Sequence, residues 1–250
     1  DLKLKKRKKN LLLQGLFVVI CMVLYFTCLK ITCVSIAILL QYTAPIYVML
    51  ASPLILNEKI GKTSIIALLI ATAGVFLIVR PGEGFGGIEL NGTYMMGITA
   101  GLLSGIIFAA LIMNVKVLKK EYPELAIIFW PMGIALLILS PFALEVSPEI
   151  LAGNLKVLAA FGIVSIGFGE IFTVFGFANL SAQTGSLLAL IEPVSGVFFD
   201  IAVLGIALSP EALAGCALIM LSAAFISLND STKINGIREP LFKEGSQKVF

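Results

Sequence analysis

Three carboxylic acids, Glu170, Glu192 and Asp200, lie inside long apolar runs of this 250-residue chain. A charged side chain at the bilayer centre costs roughly 2.5–3.5 kcal/mol on the insertion scale, so acids in such runs face a protein interior or water and are functional candidates. The chemistry open to them is proton or cation binding. The competing reading is a neutral carboxyl hydrogen-bonded to nearby backbone. Glu170 stands in Gly167-Phe168-Gly169-Glu170. Glu192 precedes Pro193, whose missing amide frees a carbonyl about one turn earlier. It therefore either lines a cavity or supports a kink. Asp200 lies eight residues on, about 12 Å along an ideal helix. That is too far to share a proton with Glu192, and a place near the interface is equally open to it.

Polar lining is offered by Gln41, Tyr42, Tyr47, Asn114 and Trp130. Gln41 and Tyr42 fall one turn before Pro45, near the middle of their run. Interhelical hydrogen bonding, worth about 0.6 kcal/mol on average, would also account for any one of them. Other chemistry finds little support. The chain has no His, and Cys21, Cys28, Cys33 and Cys216 form no CxxC pair, so the cysteines read as small packing residues. No metal, cofactor or catalytic residue is expected. Gly82-Glu83-Gly84-Phe85-Gly86-Gly87 fits GxGxxG, but it follows a spanning run rather than a strand and lacks the βαβ setting a dinucleotide site needs. Asn91-Gly92-Thr93 fits a glycosylation acceptor.

The elements that must position these residues are membrane spans. Apolar residues make up 59% of the chain, charged residues 13%, and the mean hydropathy is +1.04. Charge stands at about 25% in soluble domains, and a soluble fold of this size could not hide so much apolar surface. Eight segments are long and apolar enough to cross a bilayer: Leu11–Leu29, Val34–Leu56, Thr63–Val79, Thr93–Val115, Leu125–Leu144, Val157–Ala178, Gly185–Ile206 and Ala212–Leu228. The expected fold is an all-α polytopic helical bundle. With a cytoplasmic start, all but Lys30, Arg80 and Lys156 of the 18 basic residues fall on the cytoplasmic side, as the positive-inside rule requires. Both termini of the chain then lie inside, in the plasma membrane. The basic run Lys5–Lys9 resembles a nucleic-acid or nuclear-localisation patch, but beside a spanning helix it reads as a lipid-facing topogenic run, and no nucleic acid is expected.

The chain repeats itself. Pro45 and Pro193 are 148 residues apart, and the same offset lays Leu39-Leu40 on Leu187-Leu188 and Leu56 on Leu204. Each copy has a spanning helix, a short turn, a helix broken by proline and a small-residue-rich third helix. The charge count gives the two copies opposite orientation. Inverted repeats with interrupted segments at matching places point to a secondary transporter. Two further helices precede the second copy and none precedes the first, so a five-plus-five layout is expected to have two more helices ahead of Asp1. Gly97, Gly101 and Gly105 recur at every fourth residue and form a bare face for close helix packing, within the chain or in a homodimer.

The stretches Tyr42-Thr43-Ala44-Pro45-Ile46-Tyr47-Val48, Leu54-Ile55-Leu56-Asn57-Glu58-Lys59-Ile60 and Ala73-Gly74-Val75-Phe76-Leu77-Ile78-Val79 resemble the EamA domain of the drug/metabolite transporter superfamily. There a proline-bearing helix ends in a Leu-Gly-Glu turn. Leu190-Ile191-Glu192-Pro193-Val194 is similar to the family's Leu-Glu-Pro-Val. Asn57 stands where the family has Gly, and Ile206 where the second copy would have Glu. The resemblance implies a first EamA-like half over 1–81, a second over 92–229 and a cytoplasmic tail over 230–250. It also implies carrier transport, as an exporter, of small metabolites or drugs through a cavity between the halves. The expected partners are a small-molecule substrate and the lipid bilayer, with proton or cation coupling through Glu170 or Glu192. Two other classes stay open: a non-transporting membrane fragment or accessory subunit, and an intramembrane enzyme.

Overall fold

The computed structural model describes residues 6–32, 34–79, 92–204, 210–211 and 213–228. Among these, every regular element is helical. The helices are α1 (Lys8–Ile31), α2 (Val34–Gln41), α3 (Ala44–Ile55), α4 (Lys62–Val79), α5 (Gly92–Lys119), α6 (Glu124–Ala143), α7 (Pro148–Ala160), α8 (Glu170–Asn179), α9 (Ala182–Leu188), α10 (Ile191–Leu204) and α11 (Leu213–Leu228), with a π-helical stretch, Phe161–Gly169, joining α7 to α8. Within the described residues each of the eight apolar segments is helical, two of them as broken pairs. Lys8–Ile31, Ile36–Ile55, Gly92–Lys119, Glu124–Ala143 and Pro148–Asn179 are each long and apolar enough to cross a membrane. The GxGxxG segment, Asn91, Cys33 and the tail 230–250 lie outside the described residues.

Local chemistry sets several ends. Pro45 sits in the first turn of α3, where its missing amide costs nothing. The proline thus opens a new helix after the two-residue turn Tyr42–Thr43 rather than kinking a continuous one. In that turn Thr43 Oγ1 donates to the Leu40 carbonyl (2.6 Å). Pro193 likewise sits in the first turn of α10, after the turn Ala189–Leu190. Adding the 148-residue offset to α2 and α3 gives 182–189 and 192–203, against the observed Ala182–Leu188 and Ile191–Leu204. The sixth segment begins at Pro148, well before the expected Val157. Ser147 caps it by accepting the Ile150 amide (3.4 Å), Pro148 occupies the first turn and Glu149 meets the positive end of the helix.

Asn57, the residue standing at the resemblance's Gly, has φ 57°. Asn tolerates this left-handed conformation better than most residues do. Asn57→Val is therefore expected to lower stability by about 1–2 kcal/mol and Asn57→Gly to be nearly silent. Melting of the purified variants in detergent measures both, and a Val variant as stable as the parent would remove the backbone argument.

Two compact units can be described. The first combines Asp1–Glu58 with Pro81–Ser186. Here α5 is the central helix: α1, α2, α3 and α8 pack on it, and α6 packs on α1 and α8. Small residues and glycines allow the close approach. A Cβ on Gly97 would lie 2.8 Å from Thr32, one on Gly101 2.6 Å from Leu40 and 2.8 Å from Cys28 Sγ, and one on Gly105 2.7 Å from Thr43 Oγ1 and 2.8 Å from the Leu40 carbonyl. The glycine stripe thus meets α1, α2 and the turn after α2, inside the chain. The second unit combines Lys59–Arg80 with Leu187–Phe250. In it α4 meets α11, with Gly74 against the Gly215 carbonyl and Ile219, and Ser222 Oγ donating to the Ala67 carbonyl (2.7 Å).

Side chains are distributed as lipid requires. Large apolar groups point outward, among them Leu54, Leu137 and Phe172 at 85%, 75% and 74% exposure, while Ser52, Ser104, Gln14 and Asn114 are buried. Large exposed apolar surfaces on a soluble monomer would drive association.

Candidate functional site

One end of the first unit carries a cluster of paired charges. Arg7 pairs with Glu121 (3.6 Å) and Lys119 with Glu124. Lys116 Nζ donates to the Ala178 and Leu180 carbonyls at the end of α8. The Glu58 carboxylate accepts the Ala182 amide through both oxygens (2.9 and 3.1 Å) at the start of α9. A lysine on the terminal carbonyls of one helix and a glutamate on the first amide of the next both match the helix dipoles. Between them they hold the linker Leu180–Ser181. Gln183 Nε2 donates to the buried Ser52 Oγ (3.1 Å) beside them.

Further into the same unit is a cavity of about 180 Å³ bounded by α1, the end of α2, α5, α6 and α8. Gln14, Cys21, Gln41, Phe108, Glu170 and Thr173 are among its lining residues. The sequence selected Gln41 and Glu170 from this group. Gln14, Cys21, Phe108, Thr173 and Phe177 were not selected. Gln14 carried the same signal as Gln41, an amide inside an apolar run. A larger groove of about 710 Å³ between α6 and the π-helical stretch is lined by Leu125, Phe129, Leu136, Ile166 and similar groups. It has no polar side chain and so no means of recognising a polar solute.

The hydrogen bonds around the cavity fix which atoms are already engaged. Asn114 Nδ2 donates to Gln14 Oε1 (2.7 Å) and to the Asn10 carbonyl (2.9 Å), while its Oδ1 accepts from Asn10 Nδ2 (3.0 Å). Gln14 Nε2 reaches the Leu111 carbonyl (3.5 Å). Asn114 is therefore a supporting residue behind Gln14. Cys21 Sγ donates to the Ser104 carbonyl (3.6 Å), so its sulfur can only accept from Gln41 Nε2 (3.7 Å). That orientation leaves Gln41 Oε1 facing away from the sulfur. Among the described residues no group hydrogen-bonds or ion-pairs with the Glu170 carboxylate.

The other selected residues lie elsewhere. Trp130 packs edge-on against Phe129 (5.6 Å between centroids) on α6, and Tyr42 is half-buried in the turn after α2. Neither lines the cavity. Glu192 is exposed in the second unit, its amide donating to the Ala189 carbonyl (3.1 Å) and its carbonyl accepting from Ser195 Oγ (2.7 Å). The backbone of Asp200 is helical within α10, and its side chain lies outside the described residues. No group of three potential metal ligands occurs among the described residues.

The sequence profile described as the EamA-like transporter family matches residues 2–80 and 95–228. Similar curated proteins include an uncharacterized transporter of Archaeoglobus fulgidus, 26% identical over 196 residues, with 78% of this chain and 68% of that protein covered. The uncharacterized inner membrane transporter YicL of Salmonella typhimurium is 28% identical, with 77% of this chain and 64% of that protein covered. The pseudopaline exporter CntI of Pseudomonas aeruginosa is 27% identical, with 69% and 58% covered. The matched region thus spans between 58% and 68% of the length of these three proteins. A solved crystal structure superposes with a TM-score of 0.73 at 21% identity, covering 91% of this chain and 78% of the other, which supports the fold.

Proposed function

The chain belongs to the EamA-like transporter family, and on that premise we propose that it forms the greater part of a secondary carrier that exports a small organic solute across the plasma membrane. Two EamA-like halves, 1–81 and 92–229, would alternate access around a central site, with both termini of this chain cytoplasmic. A solute or ion gradient would drive the cycle. The observation that carries the reading is the cavity of the first unit, where the Glu170 carboxylate and the Gln14 and Gln41 amides line one hollow inside a bundle whose outer surface is apolar. Interrupted helices at matching places in the two copies support it.

Proton or cation coupling belongs to the same proposal, with Glu170 the first candidate and Glu192 the second. Proteoliposomes holding the purified protein test both parts. Saturable flux of a panel solute, absent from protein-free vesicles, is the expected result, and absence of flux for every member would remove the carrier reading. Glu170→Gln is expected to abolish the dependence of flux on a pH gradient. Full retention of that dependence would take Glu170 out of the coupling step.

A further inference from the structure

We propose that the cavity of the first unit selects small organic amines in their ammonium form, with Glu170 as counter-charge and Gln41 Oε1 and the Thr173 hydroxyl as hydrogen-bond acceptors. The proposal rests on the carrier reading and names its substrate class.

Charge comes first. Glu170 is the one ionisable carboxyl in the lining, which contains neither Lys nor Arg. Its carboxylate has no hydrogen-bond or ion-pair partner among the described residues. Glu170 is half-buried; a carboxylate partly withdrawn from water and left unpaired is costly, and a ligand that brings the opposite charge offsets that cost. A neutral ligand does not, and an anion adds repulsion.

Hydrogen bonding points the same way. The Gln14 amide is engaged at both ends, by Asn114 and by the Leu111 carbonyl. The Gln41 amino group is turned to Cys21. The acceptors left without a described partner are the Glu170 oxygens, Gln41 Oε1 and Thr173 Oγ1, beside one remaining N–H on each of Gln14 and Gln41 and the Thr173 O–H. Thr173 lies three residues after Glu170 and so on the same helix face. An ammonium carries three donors and no acceptor and can use the Glu170, Gln41 Oε1 and Thr173 acceptors together, whereas a neutral ligand leaves the Glu170 charge unmatched.

Size and shape complete the specification. A cavity of about 180 Å³ is comparable with the ~150 Å³ hollow that accommodates benzene. It suits a single ring or a short branched chain. Phe108 and Phe177 meet edge to face at 6.4 Å and supply an aromatic wall for the apolar part, or for the cation itself.

The test uses three isosteric probes, benzylamine, benzyl alcohol and benzoate, on the purified protein in lipid nanodiscs at neutral pH, read by calorimetric titration. Benzylamine alone is expected to bind. Glu170→Gln should weaken it by about tenfold or more, the scale of one charge-assisted hydrogen bond. Thr173→Val, at the exposed rim of the cavity, should weaken it several-fold and keeps the test decisive if the Gln variant does not fold. Three results would overturn the proposal: no binding of benzylamine, equal binding of the alcohol or the acid, or amine affinity unchanged in the variants. Flux of a neutral or anionic solute in proteoliposomes would then leave the carrier reading standing while this substrate class fell.

Discussion

Gly105→Leu is expected to abolish a stable fold, with a loss of about 3 kcal/mol or more, the upper end for overpacking a core. Even the first added carbon would lie 2.7 Å from Thr43 Oγ1 and 2.8 Å from the Leu40 carbonyl. The second of these is backbone, and Thr43 already donates to it, so neither atom can move aside cheaply. The clash is at the turn that separates α2 from α3, and relief would have to displace both helices from α5. Gly133→Ala is the matched control. It sits in the middle of α6 with nothing within 4 Å of its added carbon, and it should be neutral or gain up to about 1 kcal/mol from helix propensity. Melting and size-exclusion profiles in detergent measure both. A Gly105→Leu protein that melted like the parent would show that the approach of α2 to α5 is looser than described. Because the stripe meets its own chain, the expected failure is aggregation rather than conversion of a dimer to a monomer.

Asn114→Leu is expected to cost about 2 kcal/mol, more than an average interhelical hydrogen bond. The difference lies in what is left behind. Asn114 makes three hydrogen bonds to Asn10 and Gln14, and Gln14 is only 5% exposed. Leucine would strand Gln14 Oε1 without a donor, and an unsatisfied buried polar group costs about 1–3 kcal/mol. The double variant Asn114→Leu with Gln14→Leu removes both partners and should recover part of the loss. A double-mutant cycle on melting free energies reads this coupling directly. Additive losses would mean that the two side chains do not depend on one another.

Much of the fold was legible because it follows from one-dimensional patterns. Continuous apolar runs marked the spans, Pro45 and Pro193 marked the breaks, and Ser147-Pro148-Glu149 carried a helix start that counting hydropathy alone placed too late. The π-helical stretch was not legible. Phe161–Gly169 is apolar and glycine-rich, and nothing in such a pattern separates a wider coil from an α-helix. The site was legible in part. Glu170 and Gln41 announced themselves as polar groups in apolar surroundings. Gln14 carried the same signal, but only tertiary packing brings it to one cavity with Gln41 and Glu170. The work of Glu58 and Lys116 was hidden for the same reason. Their partners lie 124 and more than 60 positions away, and on the sequence they are ordinary charges beside a span.

The break at Tyr42–Thr43 also shapes the electric field inside the bundle. A helix running unbroken past this point would place no pole there. By ending at Gln41, which lines the cavity, α2 brings the negative end of its aligned peptide dipoles to that wall, worth at most about half an elementary charge and partly offset by the positive end of α3, which opens two residues on. Part of the negative potential in the cavity therefore belongs to the backbone. Neutralising Glu170 removes the larger source and leaves this one in place. Restoring helical continuity across residues 42–43 would remove the smaller source without altering any lining side chain.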